Sequence, residues 1–138
     1  MKGIFNSTIV LFIVFLCACA CTQERPAYTC NMLPLPKSAE FGSSSFTFGQ
    51  GVSLNIAAGD EDKRILPEYI GTLPFEITGE SEKSLNLAVA ELDEVSSPEG
   101  YRIEVLPCRV TVTAKSGAGL FYGLQTIIQM TDDEGKIP

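Results

Sequence analysis

Five cysteines, two acidic triplets and one glycine-rich turn are the residues best equipped for chemistry in this 138-residue chain. Leu16-Cys17-Ala18-Cys19 places Leu at −3 and a small residue at −1 before a Cys. A bacterial lipoprotein signal peptidase selects that pattern, and the Cys thiol then carries a diacylglyceryl group. Cys19 is the expected lipidation site, and Ala18-Cys19-Ala20-Cys21 offers Cys21 as an alternative register. Lys2 supplies the positive end of the leader and Ile9–Leu16 its apolar run. An ordinary secretory signal with incidental cysteines is the competing reading. Acyl chains contribute about 0.8 kcal/mol per buried CH₂, so a multiply acylated Cys anchors a protein stably without a transmembrane helix.

Elsewhere the search for reactive groups returns exclusions. The chain contains no histidine, which removes Ser-His-Asp and Cys-His catalysis and every His-ligated metal site. Cys30 and Cys108 are too few for a structural zinc, and either pair in an oxidising compartment or remain two thiols. Asp132-Asp133-Glu134 and Asp60-Glu61-Asp62 are sequential carboxylates in polar surroundings. Catalytic carboxylates must face each other across about 5–10 Å on rigid elements, so both triplets read as solvated segments. Gly117-Ala118-Gly119-Leu120-Phe121-Tyr122-Gly123 follows a strand and opens a helix, in the manner of a phosphate-cradling loop. Its GxGxxxG spacing is one residue too long for the usual fingerprint, and an N-cap followed by helix-packing glycines is the expected role. No cofactor is expected. Tyr101 and Tyr122 could stack on sugar rings, but both fall on apolar patterns and are expected in the core.

The elements that would position these groups are legible as periodicities. Tyr101, Ile103 and Val105 alternate with Arg102 and Glu104, and Val110, Val112 and Ala114 alternate with Thr111, Thr113 and Lys115. With Pro107-Cys108 between them, they read as a hairpin with one buried face. Ser116 is the expected N-cap of the following helix, whose Leu120, Leu124, Ile127 and Ile128 recur at helical spacing, widened by Phe121 and Met130. Gly119 and Gly123 lie four apart on one face, which suits a close approach of helix to sheet. Upstream, Phe46–Phe48, Val52–Ile56, Phe75–Thr78 and Leu85–Val89 are expected strands. Asp60–Ile70 is an expected helix, with Ile65, Leu66, Tyr69 and Ile70 buried and Pro67 weakening or shortening it. The order points to an α+β fold, two helices on a mixed or antiparallel sheet.

Domain boundaries follow: 1–18 leader, 19–31 a tether, 32–131 one folded domain, and 132–138 the start of a linker. The formal net charge is −7, and removal of Lys2 with the leader makes it one unit more negative. With no basic patch, nucleic acid is a poor partner.

The runs Ser97-Pro98-Glu99-Gly100-Tyr101-Arg102-Ile103-Glu104-Val105 and Ser116-Gly117-Ala118-Gly119-Leu120-Phe121-Tyr122-Gly123-Leu124-Gln125-Thr126, with Gln129 and the earlier Leu33-Pro34-Leu35-Pro36, resemble the N-terminal domain of bacterial β-N-acetylhexosaminidases of glycoside hydrolase family 20. The resemblance covers about Met32–Met130. It implies an accessory domain that precedes and packs beside a (β/α)₈ barrel. It also implies an exo-acting hydrolase of terminal N-acetylglucosamine or N-acetylgalactosamine in glycans. In that family the substrate's acetamido oxygen attacks the anomeric carbon, a Glu protonates the leaving oxygen and an Asp orients the acetamido group. Those residues belong to the barrel, so no residue of this chain matches a catalytic position and the chain alone is expected to be inactive. The implied partners are the barrel in cis, a glycan through it, and a membrane of the bacterial cell envelope through the lipid. The alternative is a stand-alone lipid-anchored module that binds glycan or protein.

Overall fold

The computed structural model describes residues 32–138, apart from the side chain of Ile65. The expected leader and tether, with Cys19, Cys21 and Cys30, lie outside the described residues. In chain order the elements are β1 (Phe46–Thr47), β2 (Val52–Ala57), α1 (Asp60–Ile70), β3 (Ile77–Thr78), β4 (Ser84–Val89), β5 (Tyr101–Leu106), β6 (Arg109–Ala114), α2 (Gly117–Met130) and β7 (Lys136–Ile137). Five strands form a mixed sheet in the order β3-β2-β4-β6-β5. The β2–β3, β2–β4 and β4–β6 pairs are parallel, and β5–β6 is the antiparallel hairpin. The fold is therefore α+β.

Strand alternation sets the two faces. Residues paired across strands share a face, so Leu54, Leu85, Val110 and Val105 form one apolar row. Ile56, Leu87, Val112 and Ile103 form the next. The intervening rows, such as Asn55-Asn86-Thr111-Glu104, are polar and face outward, with Asn55 Nδ2 donating to Asn86 Oδ1 at 2.9 Å. Against the apolar rows pack Leu66 and Ile70 of α1 and Leu120, Leu124 and Ile127 of α2, in one buried cluster. Burial of each such side chain stabilises by about 1.5–3 kcal/mol before entropic costs.

Pro67 does not shorten α1, which runs on to Ile70. The carbonyl that the missing N–H would bond belongs to Lys63, and Lys63 and Pro67 are both exposed, so water can serve it. Residues 132–138, expected as a linker, instead turn back into the domain. Asp132 Oδ1 accepts from the N–H groups of Glu134 (3.0 Å) and Lys136 (2.8 Å). Gly135 takes φ +75°, a left-handed conformation that favours glycine. β7 then pairs antiparallel with β1, and Ile137 is fully buried with Phe46 and Phe48.

The helix–sheet contact at α2 is close enough to demand glycine. A Cβ at Gly119 would lie 2.8 Å from both Ala114 Cβ and the carbonyl oxygen of Gly100. A Cβ at Gly123 would collide with Val112 Cγ1 and stand 3.4 Å from the Tyr101 ring. Real Cβ atoms do not sit below 3 Å, so something must move at either position. At Gly119 the obstacles are a backbone carbonyl and a fixed methyl, whereas at Gly123 the obstacle is a valine methyl with another rotamer to use. Overpacking typically costs 1–3 kcal/mol, and the helix-propensity gain of Gly→Ala returns about 1 kcal/mol. Gly119→Ala is therefore expected to destabilise by about 1–2 kcal/mol and Gly123→Ala by less. In a Val112→Ala background Gly123→Ala should become neutral, with no such relief at Gly119. Urea titrations of the single and double variants read this directly, and equal costs at the two glycines would contradict it.

Candidate functional site

Ser116 caps α2: its Oγ accepts from the Gly119 N–H at 3.4 Å and donates to the Pro98 carbonyl at 2.7 Å. One hydroxyl thus joins the helix start to the Ser97–Gly100 turn, which itself carries the carbonyl that presses on Gly119. The glycine turn is filled by the chain's own atoms. The Asp62 carboxylate of α1 lies where a Cβ of Gly117 would be. A carboxylate at a helix N-terminus takes the favourable anion position of the helix dipole, and it occupies the space a phosphate would need. Gly117, Gly119 and Gly123 are thus explained by contacts within the fold.

The carboxylates of the acidic segments have separate local roles. Asp132 shapes a turn, Asp133 and Glu134 are exposed, Glu94 pairs with Arg102, and Glu91 stands 3.8 Å from Lys115. Among the described residues no group of three or more His, Cys, Asp or Glu could hold a metal ion, and no helix is long and apolar enough to cross a membrane. Cys108 is an exposed thiol at the β5–β6 turn.

The two tyrosines part company. Tyr101 is half-buried beside Gly123, and its Oη lies 2.5 Å from Thr126 Oγ1. Tyr122, expected in the core, is 44% exposed, because the inward positions of α2 are 119/120, 123/124 and 127 and Tyr122 falls opposite them. It belongs to an aromatic group on the outer side of the helix layer. Tyr69 of α1 and Phe121 have ring centroids 4.7 Å apart, and Phe121 and Tyr122 5.5 Å. At the other end of α2, the Gln129 amide grips the backbone of Leu33, accepting from its N–H at 2.9 Å and donating to its carbonyl at 3.1 Å. This holds the N-terminal arm across the helix end with Leu33 77% and Leu35 72% exposed. Helix α2 contains no Asp, Glu, Lys or Arg over its 14 residues.

The chain matches the family model described as "Glycosyl hydrolase family 20, domain 2" over residues 29–138. No curated protein sequence shows significant similarity to it. Among solved structures it is similar to the GH20 β-N-acetylhexosaminidase of Streptomyces coelicolor A3(2), at 26% identity and a TM-score of 0.54, covering 67% of this chain and 19% of that one. The N-acetyl-β-hexosaminidase of Streptomyces plicatus aligns at 27% identity and TM-score 0.56 over 68% of this chain and 20% of that one. The β-N-acetylhexosaminidase of Bacteroides fragilis NCTC 9343 has the same fold, with a TM-score of 0.57 at 22% identity over 78% of this chain and 23% of that one. The chain thus spans about a fifth of the length of these enzymes. With the match running through every element of the fold, from the arm at Leu33 to the returning strand at Ile137, the chain belongs to the glycosyl hydrolase family 20 domain 2 family.

Proposed function

We propose that this chain is the non-catalytic N-terminal domain of a lipid-anchored β-N-acetylhexosaminidase that releases terminal N-acetylhexosamine from glycans at the bacterial cell envelope. The observation that carries the reading is the family match over residues 29–138 to a domain that makes up only a fifth of the similar hexosaminidases. The site chemistry agrees with a supporting role. Among the described residues Asp132 shapes a turn, Asp62 lies against a helix start, and Glu94 and Glu91 form surface ion pairs. The acid and the acetamido-orienting Asp are then supplied by a barrel in cis. Cys19, with Cys21 as the second register, is the proposed acylation site, which would hold the enzyme near envelope glycans without a membrane-spanning helix.

Two measurements test this. The 138-residue chain alone should leave an aryl N-acetylglucosaminide at its uncatalysed rate, while the product of the complete gene turns it over; catalysis by the isolated chain, abolished by a substitution within residues 32–138, overturns the assignment. Replacement of Cys19 with Ala should leave a slower-migrating precursor or shift processing to Cys21. If radiolabelled palmitate marks neither cysteine of the parent protein, the lipid anchor is refuted and an unacylated secreted protein remains.

A further inference from the structure

The two edges of the mixed sheet are unlike. On one side it stops at β3, only two residues long. On the other it stops at β5, six residues long and paired to β6 in an unbroken register. A very short strand, a proline or a bulge commonly blunts a sheet edge, and β5 has none of these. Its free backbone groups follow from its neighbours. The Ser84 N–H donates to the Cys108 carbonyl and the Ala90 N–H to the Ala114 carbonyl, so the even-numbered residues from 108 to 114 turn their backbone toward β4. Arg109, Thr111 and Thr113 therefore bond their partners Leu106, Glu104 and Arg102, and Tyr101, Ile103 and Val105 turn N–H and C=O to the open side. Among the described residues no strand pairs with that side. The N-terminal arm leaves a cleft of about 800 Å³ there, lined by Tyr101, Ile103 and Val105 and, from the arm, by Pro36, Ser38 and Glu40. Charge is the one protection the edge carries: Arg102 and Glu104 are exposed on the polar face, and they are opposite in sign.

We infer that β5 is the contact through which two copies of this chain associate, edge to edge and antiparallel about a two-fold axis at Ile103, so that two five-stranded sheets become one. A second copy is the occupant because β5 is complementary to itself. With Ile103 opposite Ile103, Arg102 of each copy lies opposite Glu104 of the other, and Tyr101 lies opposite Val105. Opposite charges then meet on the polar face, and an aromatic meets a β-branched residue on the helix face, both favourable cross-strand pairs. The Tyr101 ring is already held in place, its Oη 2.5 Å from Thr126 Oγ1. Sliding the second copy by two residues sets Arg102 against Arg102 or Glu104 against Glu104. Sliding it by one puts its apolar side chains on the polar face. Charge and face together leave one register. Glu94, which pairs with Arg102 within the chain, does not stand in the way, because a guanidinium has donors enough for two carboxylates. The contact is small, so the association is expected to be reversible.

The test uses the complete gene product without residues 1–21, so that leader and acyl chains play no part. Sedimentation velocity reads association and circular dichroism reads folding. The parent should dimerise reversibly. Arg102→Glu leaves only acids on the outer side of β5 and Glu104→Arg only bases, so each should weaken dimerisation roughly tenfold with the fold intact. An equimolar mixture of the two variants should pair as tightly as the parent, because each copy then meets the opposite charge. The double exchange, Arg102→Glu with Glu104→Arg, should also dimerise like the parent. A parent that stays monomeric at every soluble concentration overturns the inference. A dimer that both single variants form as tightly as the parent overturns it too, since its contact then lies elsewhere. So does a mixture that associates no better than its components, because charge would not be setting the pairing.

Discussion

The close approach of α2 to the sheet is the constraint on which the rest of the structure depends. It requires that residues 119 and 123 have no side chain, that Ala114 be small where β6 ends, and that the Ser97–Gly100 turn present its carbonyl to the helix instead of a side chain. Ser116 then ties that turn to the helix start through one hydroxyl. Each part is modest alone: a cap is worth about 1 kcal/mol and a glycine in a helix costs about as much. Their joint effect is to bring Leu120, Leu124 and Ile127 into full contact with Leu85, Leu87, Val110 and Val112. That contact supplies seven of the fourteen residues in the buried core of a small domain whose margin of stability is narrow.

The same geometry decides what the glycine-rich turn is for. A phosphate loop needs open backbone N–H groups at a helix N-terminus. Here the space over Gly117 holds the carboxylate of Asp62 and the Gly119 N–H is taken by Ser116. The turn is a packing device, closed over by the Asp62 carboxylate of α1. Ser116, Asp132 and Gln129 likewise spend their polar groups on holding the fold together.

Much of this was legible in the sequence, because the hairpin and both helices announce themselves by period. The alternation of Tyr101–Val105 and Val110–Ala114 corresponds residue for residue to the register Tyr101↔Ala114 through Val105↔Val110. Other features needed three dimensions. The β1–β7 pair joins two-residue strands from opposite ends of the domain; β1 falls within the expected strand Phe46–Phe48, but nothing local marks its partner, and the turn that makes the pairing possible hides in an acidic triplet. The parallel neighbours of β4 are set by how the crossovers lie and not by any local motif. Tyr122 and Tyr69, both expected in the interior, stand 44% and 39% exposed, because an apolar residue type on a helix does not by itself say which side faces in.

The seating of α2 on the sheet is what holds the domain together, and native-state hydrogen exchange measures it most directly. The amides of Leu124 and Ile127 in α2 and of Leu87 and Val112 in the sheet, all buried in one cluster, should exchange together at the rate set by global unfolding. Exchange of the α2 amides well before those of the sheet would contradict the account, because the helix would then open without the core.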